Sequence, residues 1–124
     1  ALGLLKSNLS REEMDEFEVF KTVTVVNRLG VFIVPYQSRI VQTENDVPTR
    51  ILCIVFDHAW QFPASDEMLM KILLLKADPD RVVNTAIETK IDSGSLLQYC
   101  IESTGRTYWG KSSAESKKSK PGRR

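Results

Sequence analysis

Polar and apolar residues change rhythm several times along this chain, and each rhythm predicts an element. Ser10-Arg-Glu-Glu13 has the form of a capping box, with Ser10 at the N-cap and Glu13 reaching back to it. Leu9 and Met14 stand at the flanking staple positions, and Met14 and Phe17 lie three apart on one face. The spacing predicts a helix over 11–19 whose polar face, Glu12, Asp15 and Glu16, is acidic. Phe20 to Asn27 is β-branched and roughly alternating, which predicts a strand. Arg28-Leu29-Gly30 reads as a turn, Val31 to Val34 as a second strand broken at Pro35, and 39–42 as its continuation past an irregularity. Polar 43–49 reads as an exposed loop. Ile51 to Phe56 is apolar at successive positions, the pattern of a strand covered on both faces in the middle of a sheet.

Ser65 reads as the N-cap of a second helix, 66–76, with Asp66 and Glu67 in its first turn. From Met68 to Leu75 that helix is apolar almost all round, interrupted by Lys71. Such a helix is buried on more than one side, or offers one face to another protein. Asp78-Pro79-Asp80 ends it. Residues 81–91 fit two patterns. Val82 and Ala86, and Val83 and Ile87, have helical spacing with Pro79 as a helix start; Val83, Thr85, Ile87, Thr89 and Ile91 alternate as in a strand. The β-branched content and the following Asp92-Ser-Gly-Ser95 favour the strand, with 96–102 as its hairpin partner. Thr107 to Trp109 reads as a last short strand. The expected fold is therefore α+β: an antiparallel-rich sheet of about five or six strands with two helices, in a single domain over 1–110.

Composition agrees with a folded domain. The chain has 124 residues, 42% of them hydrophobic, which suits a globular unit. No apolar run approaches the ~20 residues that a membrane-spanning helix needs. Ala1-Leu-Gly-Leu-Leu-Lys6 lacks the form of a secretory signal, so an intracellular setting, cytoplasmic or nuclear, is expected. Cys53 and Cys100 both sit in apolar, strand-like runs and read as reduced, buried thiols.

Charge changes the picture more. A net charge of +1 hides a split: residues 1–110 carry 11 Lys/Arg against 15 Asp/Glu, a net −4. Residues 111–124 carry Lys111, Lys117, Lys118, Lys120, Arg123 and Arg124 against Glu115 alone. That segment has no large apolar residue to offset ordering entropy, and reads as a flexible basic arm suited to polyanions. Just before it, Arg106, Tyr108, Trp109 and Lys111 interleave cations with aromatic rings, a mixture that stacks on unpaired bases or sits at a lipid headgroup boundary. These residues and the arm's cations are the candidate binding residues.

Other chemistry is sparse. The single histidine, His58, follows Asp57, but neighbours in extended chain point to opposite faces. Cys53 lies five positions from His58 and opposite by parity. Three His and Cys residues fall short of a four-ligand zinc site, and no Gly-rich phosphate loop or EF-hand loop is present. The sequence assigns no catalytic residue, no metal ligand and no small-molecule cofactor. It points first to a non-enzymatic structural or assembly protein that self-associates and contacts nucleic acid or an anionic membrane through the arm. Small viral matrix, capsid or RNA-binding accessory proteins share this layout in general plan. An adaptor docking partners through helix 66–76 or the acidic first helix is the alternative, and a carboxylate-only hydrolase or transferase ranks last.

Overall fold

Five strands pair antiparallel in chain order: β1 (Thr22–Asn27), β2 (Gly30–Pro35), β3 (Ile40–Glu44), β4 (Val47–Cys53) and β5 (Ile87–Glu88). Five helices accompany them: α1 (Leu2–Ser7), α2 (Arg11–Phe20), α3 (Ala64–Ala77), α4 (Pro79–Thr85) and α5 (Ser93–Thr104). This computed structural model describes residues 2–54, 56, 63–89 and 92–105. The α+β class and the antiparallel sheet are those expected from the sequence.

The register explains why successive residues of β4 are apolar. Val23 pairs with Val34, Val25 with Phe32, and Ile40 with Leu52, so these six share one face. That face packs on Leu5, Phe17, Met68, Leu69, Ile72, Leu75 and Val82 from the helices. Ile33, Val41 and Ile51 are paired on the opposite face, where Ile33 and Val41 meet the fully buried Cys100 of α5. Both faces are therefore dry around Ile51 and Leu52, as a central strand requires.

Local signals set the turns. Asn45 and Asp46 both have positive φ, 52° and 64°, the left-handed pair that a tight two-residue hairpin demands. Segment 43–49 is thus not a loop. Thr43, Glu44 and Val47 to Thr49 belong to strands, and only Asn45-Asp46 turn. The capping box on α2 is present: Glu13 N–H donates to Ser10 Oγ at 3.2 Å, and Ser10 N–H donates to Glu13 Oε1 at 2.9 Å. Glu16 does not belong to a solvated acidic face. Its carboxylate accepts from Thr24 N–H at 2.9 Å and from the hydroxyls of Thr22 and Thr24, covering the outer edge of β1.

Three sequence expectations are corrected. Residues 79–85 form α4, not a strand: Pro79 stands at the first turn, and the Asp78 carboxylate accepts from Arg81 N–H at 3.3 Å. Among the described residues of the expected strand 81–91, Ile87 and Glu88 pair with β4, and Thr89 N–H donates to the Ile51 carbonyl at 3.0 Å. Residues 96–102 lie in α5, not in a hairpin arm. The Asp92 side chain caps that helix through Ser95 N–H, and Gly105 closes it at φ 70°. Its apolar positions 96, 97, 100 and 101 fall on one helical face. Finally, α3 starts two residues earlier than a Ser65 cap allows; Pro63 is its N-cap, and Ser65 is a buried residue of the first turn.

Candidate functional site

The residues singled out for binding, Arg106, Tyr108, Trp109, Lys111, Lys117, Lys118, Lys120, Arg123 and Arg124, lie outside the described residues, as do Thr107 of the expected last strand, Asp57 and His58. The described chain ends at Gly105, beside the C-terminal end of α2: a Cβ at Gly105 would stand 3.8 Å from Phe20 Cδ1. Neither α2 nor α5 carries a basic residue in its last turn. The negative end of the α5 dipole therefore lies where the cationic segment begins, while Lys21 caps the end of α2.

The folded unit neutralises much of its own positive charge. Lys6 pairs with Glu18 at 3.2 Å, Lys76 with Glu13 at 2.9 Å, and Arg50 with Glu88 at 3.8 Å, while Arg28 pairs with Asp80. Arg50 Nε also donates to Gln42 Oε1 at 2.9 Å, tying β4 to β3. The Lys21 ammonium lies 4.9 Å from the centre of the Phe17 ring. Burial pushes the Glu13 carboxyl up, but hydrogen bonds from Ser10 and Lys76, with the charge of Lys76, outweigh it and hold its pKa below 4.5.

A cavity of about 760 Å³ opens between the β2–β3 connection, the end of β4, the first turns of α3, and Tyr99 of α5. Lys71 forms its base. Its side chain is only 8% exposed, and its ammonium donates to the Ser38 carbonyl at 3.1 Å and lies 3.2 Å from Glu67 Oε1. The connection itself, Gln37 to Arg39, is held from outside. Tyr99 Oη accepts from Arg39 N–H at 3.0 Å, and Arg39 Nη1 donates to Thr89 Oγ1 at 3.0 Å. Gln37 adopts φ 63°, a left-handed conformation that a residue with a side chain seldom takes. Pro35, Ile54 and Met68 give the cavity apolar walls.

Both cysteines are free thiols, but their settings differ. Cys100 sits in helix α5, not a strand, and burial pushes its pKa up to about 11. Cys53, half-buried at the end of β4, lines the cavity. Glu67 is the one carboxylate among the described residues lining it, and that carboxylate is engaged by Lys71. The arrangement combines cationic donors with apolar side chains in one cavity, a binding geometry.

Lys71, Arg39 and Tyr99 escaped sequence-level assignment as site residues. The one local signal was Lys71, a lone charge inside an apolar helical run. Among the described residues, no group of three or more His, Cys, Asp or Glu is placed to hold a metal ion, and no helix is long and apolar enough to cross a membrane. Comparison of the chain with protein-family models, with curated proteins and with solved structures gave no significant match.

Proposed function

We propose that this chain is a non-enzymatic, intracellular assembly protein that self-associates and uses residues 106–124 to contact a polyanion, single-stranded nucleic acid in the first place. The observation that carries this reading is the segregation of charge. Residues 106–124 hold seven Lys/Arg against one Glu, whereas residues 1–105 hold ten against fifteen Asp/Glu. Among the described residues, Lys6, Arg28, Arg50, Lys71 and Lys76 already sit against carboxylates, while Arg11, Lys21, Arg39 and Arg81 are scattered over different elements. Positive charge in the sequence is thus concentrated beyond Gly105, where Tyr108 and Trp109 add rings that can stack on bases.

The test is fluorescence anisotropy of a labelled single-stranded oligonucleotide with the full chain and with a chain ending at Gly105, at two salt concentrations. Binding that weakens steeply with salt and disappears with the deletion is the expected result. Undiminished binding by the shortened chain overturns the reading. Anionic vesicles that compete while the oligonucleotide does not would move the partner from nucleic acid to membrane. Light scattering on the same samples reads self-association. A second reading, an adaptor, draws support from α3: Leu73 is 45% exposed and borders a groove of about 620 Å³ shared with Met70, Leu74 and Ala77. A protein complex unaffected by the deletion would favour it.

A further inference from the structure

We infer that the cavity floored by Lys71 is a receptor site for a small organic monocarboxylate with an apolar body, independent of the basic segment. The inference starts from the ammonium. Burying a lysine costs several kcal/mol unless its charge and donors are matched. Lys71 has three donors, and among the described residues two are used, by the Ser38 carbonyl and by Glu67. The remaining donor belongs to a group that lines a cavity of about 760 Å³, a size within the usual ~300–1,000 Å³ of small-molecule sites.

Arg39 supplies the second cation. Its backbone is fixed by Tyr99 and one arm of its guanidinium by Thr89, so the group is positioned in advance, and among the described residues its other donors are not engaged. The left-handed Gln37 keeps the connection in a conformation that the surrounding contacts must hold. Charge then selects the ligand. Among the described lining residues, Lys71 and Arg39 against Glu67 leave one net positive charge. A carboxylate balances it, and a guanidinium matches carboxylate geometry; a doubly charged phosphate monoester overfills it. Pro35, Ile54 and Met68 line the same cavity and suit an aliphatic chain.

The experiment uses the full chain and two probes of equal length, hexanoate and its neutral amide, followed by amide chemical shifts in NMR. Hexanoate should give saturable shifts at Ser38, Arg39 and Tyr99, and hexanamide should bind at least about tenfold more weakly. R39Q should weaken hexanoate about tenfold. K71M/E67Q removes the ion pair as a unit, so the fold is kept, and should weaken it likewise. A chain ending at Gly105 should bind hexanoate unchanged, which separates this site from the proposed polyanion contact. Equal binding of acid and amide overturns the inference. So does unaltered affinity in R39Q, equally tight binding of inorganic phosphate, loss of hexanoate binding on removing 106–124, or no saturation up to ~10 mM.

Discussion

Lys71 interrupts the apolar run of α3, and an ammonium that is nearly buried there ties the helix to the β2–β3 connection through Ser38. Removing one partner of such a pair strands the other. Lys71→Met should therefore lower unfolding free energy by about 2 kcal/mol in urea titrations, less than for a fully buried pair because Glu67 stays partly wet. The K71M/E67Q double variant should recover much of that loss; a double variant as unstable as the single one would show that the ion pair is not the tether. The two thiols give a second check. With its pKa near 11, Cys100 is ionised in roughly one molecule in a thousand at about pH 8 and is buried besides, so iodoacetamide should label Cys53 first under native conditions. Mass spectrometry of the labelled peptides reads the order, and preferential labelling of Cys100 would contradict it.

The helices show which signals decide when patterns compete. For α2, the capping box was legible in four letters and formed as written. For α5, Asp92 and Gly105 bracket the helix as clearly, yet Ser93-Gly94-Ser95 resembles a turn, and the alternation of Leu97, Tyr99 and Ile101 imitates a strand. The 96, 97, 100, 101 stripe facing Ile33 and Val41 is the pattern that prevailed, because burial against the sheet needs it. In α4 a Pro at the first turn and an Asp cap outweighed β-branched content. Glu13 joins two helices, since Lys76 of α3 donates to the same carboxylate that completes the α2 cap. Its folded pKa lies below 4.5, so its stabilisation is complete above that value and is lost as the pH falls through the folded pKa. Glu13→Gln should cost about 1 kcal/mol near pH 7 and progressively less toward pH 3, measured as the gap between wild-type and variant unfolding curves. A gap that widens on acidification would reverse the assignment.

Over the whole molecule, the α+β class and the burial of β4 on both faces followed from the apolar pattern, whereas the strand order did not, since 39–42 reads as a continuation of the strand before it and 43–49 as a loop. The cavity did not, because its wall is assembled from Pro35, Ile54, Lys71 and Tyr99, which no local spacing relates. Charge segregation was legible from the start and has a direct consequence in bulk. The full chain has a pI near 8.0, whereas a chain ending at Gly105 keeps ten Lys/Arg against fifteen Asp/Glu. Isoelectric focusing should move the shortened chain to the acidic side of neutrality with its thermal midpoint nearly unchanged; a large fall in that midpoint would mean that residues 106–124 help hold the fold.

The Glu16 carboxylate on the rim of β1 bears on how copies of this protein can meet. A foreign strand approaching that rim finds the Thr24 amide already engaged, and among the described residues the strand at the opposite rim, β5, is just two residues long. Growth into a continuous ribbon or fibre is thereby discouraged at both margins, so copies that meet must do so through surfaces other than the strand edges.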